Sequence, residues 1–272
     1  MRGEGVLMLI LFAAGNVWGG DAPKPKDLSK GATILLIGDS IFDIHEGDKR
    51  LEAVLKAALT KKAPQGQWAV FNHAQGGEYI GPKVGEAANT SGPFFDSDTE
   101  GRYFRVLKKC PKADVVVINF GANDGKVYGP DVFRKRLEFL CGQLEKDYPG
   151  CVIVFSTGMY LDPKHSAGYY IDKPTVPGFK NGDSRNAYLE PFANQARELA
   201  AAKGYLVADV ARLMKAETDK GNWDFRIRAG NGDPKDDPKH EGDMNWFSDV
   251  HPSDRGTAFI ADTIADALLA KH

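Results

Sequence analysis

The chain has 272 residues, of which 35 are Lys or Arg and 37 are Asp or Glu, for a formal net charge of −2. Neither sign dominates, so electrostatics make no case for nucleic acid or an anionic membrane surface as a partner. A chain this long buries a sizeable core unaided and needs neither a metal nor a disulfide to fold.

At the N-terminus, Arg2 precedes the unbroken apolar stretch Val6–Ala14, and Val17 and Gly19 follow as small residues at the spacing a signal peptidase accepts. Residues 1–20 therefore read as a signal peptide, and the protein as secreted or periplasmic. Nine apolar residues are too few to cross a bilayer core of roughly 30 Å, so no stable membrane insertion is expected after cleavage. Residues 21–30, with prolines and lysines, read as a linker, and residues 31–272 as one domain with no internal repeat.

Apolar runs of strand length follow at Thr33–Ile37, Trp68–Phe71, Asp114–Phe120, Val152–Phe155 and Tyr205–Ala208. Helical spacing falls between and after them, at Lys49–Lys61, Glu100–Lys109, Asp131–Asp147, Arg185–Lys203 and Ser253–Lys271. Continuous apolar strands alternating with helices predict a parallel sheet covered on both faces. The expected fold is thus a three-layer α/β/α sandwich around a five-stranded parallel sheet in the flavodoxin-like order 2-1-3-4-5. Ligands of such sheets sit outside the carboxyl ends of the strands, near the switch point beside the first strand. The long connections Ala74–Thr99, Gly158–Ser184 and Ala216–Asn245 fall on that rim and are expected to wall a cleft. Cys110, Cys141 and Cys151 are odd in number and lack metal-ligand spacing, so they read as small buried residues near element ends.

The first strand stops abruptly at Gly38-Asp39-Ser40. An isolated serine there is most often a turn or cap residue; it becomes a useful nucleophile only with a base to take its proton. His251 lies in "NWFSDVHPSDRG", just before the final helical pattern, with Asp249 two residues earlier. A carboxylate beside an imidazole fixes its tautomer and stabilises the imidazolium. Acyl transfer also needs donors aimed at the developing oxyanion. "FNHAQGGEYI" after the second strand offers a glycine N–H, and "INFGANDG" after the third offers the Asn123 amide.

These four blocks, in this order from about Thr33 to Leu269, resemble the SGNH, or GDSL-type, hydrolase superfamily. The resemblance implies Ser40 as nucleophile and first oxyanion donor, Gly77 and Asn123 as further donors, and His251 as general base. Gly77 is preferred over Gly76 because the family's glycine usually lies five residues after the asparagine that is Asn72 here. The family's aspartate usually stands three residues before the histidine, where this chain has Ser248. Asp249 is taken as the acid, with Ser248 or Asp243 as alternatives.

The implied activity is a serine esterase acting through an acyl-enzyme without metal or organic cofactor, on small acyl groups, foremost O-acetyl esters of carbohydrates. A lipase or arylesterase, an O-acyltransferase and a non-catalytic glycan-binding protein are the alternatives. The aromatics Tyr79, Tyr169, Tyr170, Trp223 and Trp246 read as rim residues able to stack on sugars. Lys164, Lys173, Arg226 and Arg228 read as solvated charges rather than uronate ligands. "NGDSRN" repeats the GDS letters without a preceding strand, so Ser184 reads as a helix cap. The acidic stretch 231–243 lacks calcium-loop spacing and reads as a solvated loop. His45 reads as a solvated loop histidine, and His73, next to Asn72, is open between a cleft-lining and a solvated position.

Overall fold

The computed structural model describes residues 27–43, 47–81, 92–95, 101–160, 185–220 and 251–270. Five parallel strands form the main sheet: β1 (Gly31–Gly38), β2 (Gln67–Asn72), β5 (Val115–Asn119), β6 (Val152–Ser156) and β7 (Leu206–Ala208), in the order β2-β1-β5-β6-β7. Counted within this sheet alone, that is the flavodoxin-like order 2-1-3-4-5. The two-residue strands β3 (Glu78–Tyr79) and β4 (Gly92–Pro93) pair separately, inside the first long rim connection.

Pleating sends alternate residues of each strand to opposite layers. Ile34, Leu36, Val115, Val117 and Val154 join α2 (Leu51–Lys62) and α7 (Asp254–Leu269) in one core, through Leu55, Leu59, Ile260 and Ile264 among others. Leu35, Ile37, Val116, Ile118 and Phe155 face α3 (Arg102–Lys109), α4 (Pro130–Asp147) and α5 (Arg185–Lys203) in the other. β1 and β5 lie in the middle of the sheet and are nearly solvent-free, which is why they read as unbroken apolar runs. Leu28, within the stretch read as a linker, is buried in the first core, so ordered packing begins before Gly31.

Two helices were not among the sequence expectations. α1 (Ser40–Asp43) is a single turn after β1, and α6 (Val210–Asp219) follows β7 directly. The α6 start carried a legible signal, since Asp209 caps it by accepting the Arg212 N–H. Among the described residues no disulfide forms; Cys110 and Cys141 are buried and Cys151 half-buried. Cys141 lies well inside α4 rather than near an element end. Residues 1–20, which carry the expected signal peptide, are outside the described residues. Among those described, no helix is long and apolar enough to cross a membrane.

Candidate active site

The carboxyl end of β1 turns sharply into α1. Gly38 is paired with Asn119 on β5, and a Cβ there would sit 2.3 Å from the Asn119 carbonyl oxygen. Only glycine allows the two strand ends this close. Asp39 then folds its carboxylate back to accept the Ile41 N–H at 3.0 Å, which shapes the turn and makes Ser40 the first residue of α1.

The structure brings His251 onto this turn across 211 positions of sequence, with Nε2 2.8 Å from Ser40 Oγ. The residues just after His251 hold it there: Pro252 is buried, and Ser253 caps α7 by accepting the Gly256 N–H at 3.2 Å. α7 in turn packs on α2. At 2.8 Å, an Nε2 without its proton is within reach to take the one on Ser40 Oγ. Asp249, together with Ser248 and Asp243, lies outside the described residues.

The two other expected donors lie on the connections that follow β5 and β2, the strands on either side of β1. Asn123, at the start of a 3₁₀ turn after β5, is buried; its Nδ2 has no hydrogen-bond partner among the described residues, and its Oδ1 accepts from Lys126 Nζ at 2.8 Å. A buried amide nitrogen left unpaired is costly unless something arrives to accept from it. On the other side, the Glu78 N–H donates to the Gln75 carbonyl at 3.2 Å, closing a four-residue turn. Gly77 occupies its third position with φ +81°, as a type II turn requires. A Cβ on Gly76 would come within 3.7 Å of Ser40 Cβ, so the turn abuts the serine, but the Gly76 N–H is already donated to Asp43 Oδ2 at 3.0 Å. The Gly76 N–H is thus engaged within the protein.

Sequence reasoning missed the buried charges that hold these loops. Asp124, fully buried, accepts the Ile80 N–H and the Gly121 N–H, each at 2.9 Å, and the Tyr128 hydroxyl. It thereby ties the segment after β3 to the Asn123 loop. Arg102 binds the Gly76–Gly77 turn at three points: Glu78 Oε1 at 2.9 Å, Gln75 Oε1 at 3.1 Å and the His73 carbonyl at 2.6 Å. His73 is half-buried rather than solvated, and burial lowers its pKa. Tyr79 is buried edge-on to Tyr128, which corrects its reading as a rim aromatic. The other aromatics and the four basic residues considered for sugar binding, with His45, Ser184 and residues 231–243, lie outside the described residues.

Burial pushes three carboxyls upward. Asp39 rises to about 7, mainly from desolvation, with the Asp124 charge adding to it. Asp124 rises to about 6 against the pull of its hydrogen-bond donors. Glu78 rises to about 8 because desolvation outweighs the Arg102 guanidinium. Each folded-state value lies above the unfolded one, so between the two the native state binds more protons and stability falls as pH rises. Wild-type protein is therefore expected to lose stability relative to Glu78→Gln as pH is raised from 5 to 8, as measured by urea unfolding midpoints. A constant difference across that range would remove Glu78 from the account.

The arrangement defines a class: a hydroxyl–imidazole pair on the carboxyl rim of a flavodoxin-like sheet, with amide donors on the two adjoining loops. The model for the GDSL-like lipase/acylhydrolase family matches residues 36–259, and the chain belongs to that family, whose members are serine-dependent ester hydrolases. The sequence matches none of the curated proteins with which it was compared. Among solved structures it is similar to an acetylxylan esterase from Geobacillus stearothermophilus, with TM-score 0.56 and 16% identity over 88% of this chain and 95% of that one. A lipase/acylhydrolase from Enterococcus faecalis gives TM-score 0.51 and 20% identity over 86% and 93%. The acetyl xylan esterase AlAXEase gives 0.52 and 19% over 85% and 97%. At these identities the likeness speaks for the fold.

Proposed function

We propose that the protein is a secreted or periplasmic serine esterase that removes small acyl groups, foremost O-acetyl, from carbohydrates. The observation that carries this reading is the 2.8 Å contact between His251 Nε2 and Ser40 Oγ. His251 takes the hydroxyl proton as Ser40 attacks the ester carbonyl, then returns it to the departing sugar alkoxide. Water, activated by the same imidazole, hydrolyses the acyl-enzyme. The N–H groups of Ser40 and Gly77 and the Nδ2 of Asn123 accommodate the oxyanion, and Asp249 supports His251 from Nδ1. Residues 1–20 act as the signal peptide, 21–30 as the linker and 31–272 as the catalytic domain. None of these steps calls on a metal or organic cofactor.

Support for carbohydrate esters comes from the acetylxylan esterases among the similar folds and from the polar character of the long rim connections. The test is acetate release from a panel of acetylated polysaccharides, with aryl esters of increasing acyl length alongside. Acetate from one polysaccharide, with aryl-ester rates falling beyond the shortest chains, is the expected result. A second reading, a lipase or arylesterase for hydrophobic esters, is favoured by the cleft beside Asp39 and Ile41, which Phe120, Phe155, Met159 and Leu189 make largely apolar. Rates that rise with acyl length and no polysaccharide deacetylation would select it. Formation of a new ester when a sugar acceptor is added would mark an acyltransferase.

A further inference from the structure

The Asn123 amide has two ends with opposite consequences for an oxyanion. Nδ2 presents hydrogens to it, whereas Oδ1 presents lone pairs that repel it. Flipping the amide by half a turn about its last bond exchanges the two with little change in shape, so packing alone discriminates weakly between them. A charged donor that binds one end does discriminate.

We infer that Lys126 is the positioning residue that holds the Asn123 amide with Nδ2 toward Ser40. Its ammonium donates to Asn123 Oδ1 at 2.8 Å, and Nδ2 is the end left buried and unpaired among the described residues. The backbone fixes the geometry: Lys126 ends the 3₁₀ turn Asp124–Lys126 that Asn123 starts, and its N–H donates to the Asn123 carbonyl at 3.0 Å. Of the two residues between them, Asp124 is the fully buried anchor of the loop, so the pair is set on a rigid base. The ammonium has a second effect. By drawing electron density toward Oδ1 it leaves the Nδ2 hydrogens more positive, and hydrogen bonds in such a chain strengthen one another. The Lys126 charge also opposes, slightly, the rise in the Asp39 carboxyl's pKa.

The inference rests on the reading of Asn123 as an oxyanion donor, and a double-mutant cycle separates the two. Turnover of 4-nitrophenyl acetate and thermal midpoints are measured for wild type, Lys126→Met, Lys126→Arg, Asn123→Ala, the Asn123→Ala/Lys126→Met double variant and Ser40→Ala. Asn123→Ala is expected to lower kcat by about 10²–10³-fold, the usual loss for one oxyanion donor. Lys126→Met is expected to lower kcat by about tenfold with KM little changed, as for an interaction felt in the transition state. Lys126→Arg should recover most of that loss, and on the Asn123→Ala background Lys126→Met should change kcat by less than about twofold. Equal losses on both backgrounds, or full activity in Lys126→Met, would overturn the positioning role while leaving Asn123 in place. Full activity in Ser40→Ala or Asn123→Ala would overturn the reading beneath it. If Lys126→Met lowers the thermal midpoint below the assay temperature, Lys126→Gln replaces it in the same cycle.

Discussion

Ser40→Ala is expected to bring turnover of a short-chain aryl acetate to background, a loss of about 10⁶-fold in kcat, as for removal of the nucleophile from other serine hydrolases. The substitution deletes one oxygen from a half-buried side chain and leaves the turn's own supports untouched. Those supports are the Asp39 carboxylate on the Ile41 N–H and the Asp39 N–H on the Asn119 carbonyl. The folded state should therefore survive, with a thermal midpoint close to that of wild type. Retained turnover in a folded Ser40→Ala protein would remove the hydroxyl from the mechanism and, with it, the role assigned to His251.

Asp249→Asn carries the second largest expected effect, a fall of about 10⁴-fold in kcat, because an amide in place of the carboxylate favours the wrong imidazole tautomer and leaves the imidazolium unsupported. Asp243→Asn is the companion measurement. Should Asp243→Asn be the variant that loses activity while Asp249→Asn keeps it, the acid role passes to Asp243, and the register of the final loop differs from the one assigned. Full activity in both would point to a neutral acceptor in the neighbourhood of Ser248. The shape of the pH–rate profile adds a check, since loss of the carboxylate should alter the basic limb that reports the imidazole.

The sheet was legible because its central strands are buried on both faces. Ile34–Ile37 and Val115–Ile118 have no polar interruption, and only a covered parallel strand tolerates that. The pairing of Ser40 with His251 was legible for a related reason: once strand one ends in a hydroxyl and the last loop ends in an imidazole, the topology leaves both on one rim. α6 escaped notice because only Val210, Ala211 and Met214 mark its buried side, too few for a helical period to stand out. Tyr79 was misread because a loop position does not reveal burial, and its partner Tyr128 is distant in sequence. The positioning charges were invisible for the same reason. Nothing local to Glu78 announces that Arg102 will cover it, and nothing in "GANDGK" distinguishes a lysine that binds its neighbour's amide from one in solvent.

Every ester that is cleaved yields a carboxylic acid, which at neutral pH gives up its proton to the surroundings. Asp39, Asp124 and Glu78, with folded-state values of about 7, 6 and 8, hold protons in the native protein that the unfolded chain releases at about 4. Acidification across that span therefore shifts the folding equilibrium toward the native state, up to the point where other carboxylates begin to lose their own partners. Three groups that look like liabilities when counted as buried charges thus favour the native state wherever the surroundings turn mildly acidic.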